Sequence, residues 1–258
     1  MVERVLVTDA AKDLIARLHA AQAIAVGCDA QYDKMKELDE LYAALKQRQP
    51  VKIAYRRMRA VYLKVIQAGE SKALRVASDP FKKLQDEVRP ALIYAVSASQ
   101  AEIQFNLSDR GPDATAWPAN HSAPLLIEVT VASGKLRHAQ MTALNETGVG
   151  HGFTDATDAD TIEHLNARYD GWRAFSLEEI CQNLEAAIRL CVQRKAKEKY
   201  RGRTLVILIT QNTVLADEWD GFMPAIAQTL PQSPCEAIFV VGSALGTVDV
   251  CHKLKGPE

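Results

Sequence analysis

The stretch PLLIEVTVASG, residues 124–134, decides how the chain is read. Leu125, Leu126, Ile127, Val129 and Val131 form a nearly continuous, β-branched apolar run, the pattern of a strand buried in the middle of a sheet. Glu128 lies inside that run, where an unpaired carboxylate would be costly to bury. Period two places Leu126, Glu128 and Thr130 on one face and Ile127, Val129 and Val131 on the other. Something must compensate the charge: a metal ion, an Arg or Lys partner, or a strand end open to water. The metal site and the structural ion pair both stay open at this point.

Working outward, TLVILIT (204–210) and CEAIFVVGS (235–243) repeat the buried-strand texture, and TVDVCHK (247–253) has that of an edge strand. AEIQFNL (101–107) alternates, with Ala101, Ile103, Phe105 and Leu107 on one side and Glu102, Gln104 and Asn106 on the other: a half-exposed strand. Residues 108–124, rich in Pro, Gly and Asp, are expected to be a loop. Helical patterns separate these segments. FKKLQDEV (81–88) leads through Pro90 into ALIYAVSA, KLRHAQMTALNETG stops at Gly148, and a short helix is expected around TIEHLNARY (161–169). Ser176 with Glu179 forms a capping box opening the longest helix, on which Ile180, Leu184, Ala187, Ile188, Cys191 and Val192 share a face. WDGFMPAIAQTL (219–230) is a further helix. Upstream, Thr8 or Asp9 caps AAKDLIARLHAAQAIAV, a second helical pattern runs to Leu45, Pro50 breaks it, and a third ends at Gly69. The expected architecture is α/β, a mixed central sheet flanked by helices, with a helical region (1–78) preceding the sheet domain (79–258).

At 258 residues and 48% hydrophobic, the chain can bury a proper core. Its 31 Lys and Arg nearly cancel 32 Asp and Glu, leaving a formal charge of −1, so any polyanionic partner must be met by a local patch. The apolar run at Leu205 to Ile209 is far shorter than the roughly 18 residues that span a bilayer, and MVERVLVTDAAK is too charged for a signal peptide. A cytoplasmic chain without a membrane partner is expected. Cys28, Cys181, Cys191, Cys235 and Cys251 contain no CxxC pair, which points to reduced thiols rather than disulfides or a zinc knuckle. Two basic runs stand out. Lys52, Arg56, Arg57, Arg59, Lys64, Lys72 and Arg75 face only Glu70 between them, and Arg189, Arg194, Lys195, Lys197, Lys199, Arg201 and Arg203 face only Glu198. Either could meet a phosphate backbone, and either could be a solvated helix face; cations at a helix C-terminus also offset its dipole.

LLIEVTVA following a strand such as AEIQFNL, then ALNETGVGHGF, then AIRLCVQRKAKEKY running into TLVILIT, resembles the restriction-endonuclease-like PD-(D/E)xK nuclease superfamily over roughly residues 80–245. The resemblance is one of pattern and order. It implies two acids and a lysine that hold magnesium and orient an attacking water for hydrolysis of DNA phosphodiesters. Carried over by position, Glu128 matches the second acid, and Glu102, or Asp113 in GPDATAW, the first, making Glu102, Glu128 and Asp113 the candidate metal ligands. Glu102 is preferred on the expectation that its strand neighbours that of Glu128. Thr130 stands where the family has its lysine. Lys195 or Lys199 on the long helix is the candidate replacement, with Lys135 behind them, and Glu87 resembles an additional acid that several members carry. Arg189, Arg194, Lys197 and Arg201 are the implied nucleic-acid contacts. The reaction needs a metal-activated water and a cation near the phosphorus, which two carboxylates and a lysine supply. The alternative is a catalytically inactive relative that acts as a nucleic-acid-binding or oligomeric interaction module, a homodimer being open to it. Because clustered acids repel, Glu128→Gln is expected to leave metal-free stability unchanged or raised.

Weaker constellations are His138, His151 and His164 with Asp155 or Asp158 as a zinc set, Cys251 with His252 as a thiol catalyst, and the glycine-rich Asn145 to Phe153 as a loop beside the site. Trp117, Trp172 and Trp219 are too scattered for a base-stacking platform.

Overall fold

A computed structural model describes residues 28–67, 80–108, 111–120, 123–132, 176–209, 216–244 and 248–256. In chain order the elements are α1 (Cys28–Leu45), β1 (Gln49–Pro50), α2 (Val51–Gln67), α3 (Pro80–Lys83), a π-helical turn (Leu84–Val88), α4 (Arg89–Ser97), β2 (Gln100–Phe105), β3 (Ala114–Pro118), β4 (Leu125–Val131), α5 (Leu177–Arg194), a 3-10 turn (Glu198–Tyr200), β5 (Thr204–Leu208), α6 (Ala216–Thr229), β6 (Ala237–Ala244) and β7 (Val248–Lys255). The seven strands form one sheet in sequence order. β1 to β4 pair antiparallel, β4, β5 and β6 run parallel, and β7 returns antiparallel as the edge beside β6. Parallel neighbours require crossovers, and α5 and α6 lie in the two connections.

Period two sorts the side chains of β5 between two cores. Val206 and Leu208 join Ile127, Val129 and the helices α1, α2 and α4 on one face, while Leu205, Ile207 and Ile209 pack with α5 and α6 on the other. The N-terminal helices share that first core: Leu38, Leu45, Ala54 and Met58 are fully or almost fully buried in it. α5 turns Leu184, Ile188, Cys191 and Val192 into the second core, and its start carries the reciprocal Ser176–Glu179 capping box. Among the described residues no helix is long and apolar enough to cross a membrane.

One expectation changes. The segment 108–124 is not all loop, because Ala114–Pro118 forms β3 between β2 and β4. Its period-two signal rests on Ala114 and Ala116, both fully buried but too small to stand out among Pro, Gly and Asp. As a consequence β2, which carries Glu102, is not the neighbour of β4. The path through Pro90 is helical: the π turn before it bonds Arg89 N–H to the Leu84 carbonyl, and Pro90 sits in the first turn of α4. The first helical pattern, the helix ending at Gly148, the short helix around 161–169, Lys72, Arg75, Lys135, the three middle histidines with Asp155 and Asp158, Trp172 and the glycine-rich 145–153 lie outside the described residues.

Candidate functional site

β3 and β4 pair only from Ala114–Ile127 to Ala116–Leu125, whereas β4 continues beside β5 as far as Val131. The sheet therefore forks just where Asp113 and Glu128 stand. Asp113 immediately precedes Ala114 and is tied to the residues flanking Glu128. Its backbone N–H donates to the Ile127 carbonyl (2.9 Å), and its carboxylate accepts the Val129 N–H (2.7 Å). Gly111, at φ +90°, supplies the left-handed turn that brings the chain into Pro112 and Asp113.

Glu128 shares the α5 side of β4 with Thr130, and its side chain is 9% exposed. Lys195 Nζ donates to one carboxylate oxygen and Arg203 to the other, both at 2.7 Å. Lys195 is the C-cap of α5, where the helix ends against the sheet, and Arg203 follows Gly202, whose φ of +71° turns the chain into β5. Buried Tyr200 lies between them, its ring 4.8 Å from Lys195 Nζ and 5.5 Å from the Arg203 guanidinium. Charge-assisted bonds to both oxygens compensate the carboxylate. Burial alone would push the Lys195 ammonium down; the hydrogen bond and charge of Glu128, with Tyr200, outweigh it and leave its pKa above the ordinary lysine value.

A second acid pair leads away from Glu128. Burial raises the Asp113 carboxyl, opposed by the Val129 N–H, and the charge of Glu128 raises it further while Lys195 and Lys83 pull it down. Burial also raises Glu87, with Lys83 opposing and Asp113 adding repulsion. Lys83 reaches the Leu107 carbonyl at 2.8 Å and Glu87 at 3.7 Å. Glu87, Asp113 and Glu128 thus form an electrostatically coupled chain of acids, with Lys83 and Lys195 between.

The structure brings together Asp113, Glu128 and Lys195 among the expected site residues, and leaves others apart. Glu102 sits on β2, half exposed, in an ion pair with Arg48, whose guanidinium stacks over Trp117. The preference for Glu102 over Asp113 is therefore reversed: β3 separates its strand from β4. Lys199 is exposed with its ammonium 4.8 Å from the Tyr200 ring, and it is Lys195 that meets Glu128. Thr130 stands at the lysine position of the resembled pattern, and the nearby Cys191 thiol of α5 donates to the Val131 carbonyl (3.5 Å). Arg189 pairs with Glu185 and Arg201 with Glu198 on the surface, while Arg194 and Lys197 are exposed. Cys251 has its thiol pushed up to about 11 by burial, the opposite of an activated nucleophile. Sequence reading missed Arg203 and Lys83 as site residues. Arg203 stands one residue before the buried strand β5, which was the available signal; Lys83 carried none.

Two hard carboxylates suit magnesium, which keeps several waters and takes one or two protein carboxylates. Asp113 and Glu128 would be the ligands. Among the described residues no three His, Cys, Asp or Glu side chains converge into a group able to hold a metal ion. No family model, curated protein or solved structure matches this chain.

Proposed function

We propose that the chain is a divergent PD-(D/E)xK-like nuclease that hydrolyses DNA phosphodiesters with magnesium held by Asp113 and Glu128. The observation that carries this reading is the Asp113–Glu128–Lys195 grouping at the fork of β3 and β4, with the lysine supplied by the C-cap of α5. The order α4, β2, β3, β4, α5, β5, an antiparallel meander followed by a crossover to a parallel strand, supports it as well. Magnesium would lower the pKa of a bound water and neutralise charge on the phosphoryl oxygens. Asp113 is held by its bond to Val129 N–H, which fixes one oxygen and leaves the other for binding. Lys195 stays protonated at neutral pH and in this arrangement is a cation for a phosphate rather than a base. Tyr200 and Arg203 hold it and Glu128 in place.

One observation favours the alternative of an inactive interaction module: both oxygens of Glu128 are already engaged by cations. Supercoiled plasmid incubated with magnesium or manganese separates the two readings. The enzyme reading expects divalent-dependent nicking that Asp113→Asn and Glu128→Gln remove and Glu102→Gln keeps; no nicking by the wild type over a range of DNA forms overturns it.

A further inference from the structure

Most of the cations of α2, unlike Arg189 and Arg201 around α5, have no acid paired with them among the described residues. On α5 and the turn after it, Arg189 pairs with Glu185 and Arg201 with Glu198. α2 contains five basic residues and no acid, and Lys64 pairs across to Glu37 of α1. Lys52, Arg56 and Arg59 are exposed and, among the described residues, have no carboxylate partner. They stand at i, i+4 and i+7, so they form one line along the helix about 10 Å long. Their neighbours at three and four positions within the helix are Ile53, Tyr55, Ala60, Tyr62, Leu63 and one another. Like charges at these spacings destabilise a helix, so the line is strained electrostatically in the free chain and would be relieved by a polyanion.

We propose that Lys52, Arg56 and Arg59 form a docking line for the phosphate backbone of duplex DNA. One DNA strand carries a phosphate about every 3.4 Å along the axis, so the line is long enough to meet about three. An anionic membrane is the poorer fit, because an interfacial helix buries a continuous apolar face. The apolar face of α2, with Val51, Ala54, Met58 and Val65, is committed to the core, leaving only separated Ile53 and Leu63 outside. The proposal shares the DNA partner of the nuclease reading but not its chemistry, and it is tested without divalent ions.

A short fluorescein-labelled duplex is titrated with the full chain in EDTA at several salt concentrations, by anisotropy. Each lost phosphate contact lowers the slope of log affinity against log salt by about 0.9, so Lys52→Ala, Arg56→Ala and Arg59→Ala together should lower it by roughly 2.7. Arg56→Lys with Arg59→Lys should keep the wild-type slope. Unaltered thermal melting of each variant keeps the comparison valid, alanine being the best helix former. Absence of duplex binding by the wild type, an unchanged slope in the triple variant, or retention on phosphatidylserine vesicles without duplex binding overturns the proposal. Loss of nuclease activity alone leaves it standing.

Discussion

Glu128 and Glu102 are the same residue type on strands of the same sheet, and each is paired with cations, yet they occupy opposite circumstances. Glu102 lies near the sheet edge, half exposed, with an Arg48 that is itself 48% exposed. Glu128 is buried on a strand that β5 borders from Ile127 to Val131, and Lys195 and Arg203 are 19% and 16% exposed. An edge ion pair is screened and replaceable, whereas an interior carboxylate binds its surroundings into a unit whose members depend on one another. Two strands further along the sheet, the same residue type passes from a half-exposed ion pair to a buried one.

The largest expected difference is between neutralising the two. Glu128→Gln should reduce divalent-dependent hydrolysis by about 100-fold or more, and should destabilise the metal-free protein by about 3 kcal/mol because two part-buried cations lose their counter-charge. This reverses the sign expected from a cluster of acids alone. Glu102→Gln should cost at most about 1 kcal/mol. Urea denaturation of both variants in EDTA checks the pair, and equal losses would remove the distinction.

A smaller contrast sets Lys195 against Lys199. Lys195→Met leaves Arg203 on Glu128, so a loss of about 1–2 kcal/mol is expected together with a fall in kcat, while Lys199→Met should stay within about 0.5 kcal/mol with activity kept. Since the folded pKa of Lys195 is raised, its stabilisation is complete below the ordinary lysine pKa and disappears as pH climbs through the raised value. Lys195→Met should therefore flatten the alkaline limb of a stability profile; an unchanged limb would place the coupling elsewhere.

The smallest effect concerns Asp113. Its folded pKa is raised, so the fold holds its proton more tightly than the unfolded chain, and stability falls as pH rises from the ordinary carboxylate value through the raised one. Asp113→Asn keeps an oxygen for the Val129 N–H and removes the repulsion with Glu128 and Glu87. It should be stabilising at neutral pH by up to about 1 kcal/mol, and the acid-range decline should shrink. Melting in metal-free buffer from acid to neutral pH reads this directly.

The contiguous signals were the legible ones. β4, β5 and β6 announced themselves through long β-branched runs, α5 through its capping box and stripe, and Glu128 through its contradiction of its own strand. What brings Asp113 alongside Glu128 is register between β3 and β4, and β3 is a five-residue strand inserted by two buried alanines. Pairing partners are long-range facts that short alternation does not encode, so the neighbouring-strand argument for Glu102 failed. Lys195 was reachable only through the resemblance, which implies a lysine supplied from the long helix where Thr130 takes the strand position. Arg203 required knowing that β5 lies parallel to β4, and Lys83 that the π turn packs over the fork.

Isothermal titration of manganese into the metal-free wild type, Asp113→Asn and Glu102→Gln tests the central claim most directly. Saturable heat in the wild type and in Glu102→Gln, lost in Asp113→Asn, is the predicted result. No heat in the wild type, or loss in Glu102→Gln with retention in Asp113→Asn, would contradict a metal centre at the fork of β3 and β4.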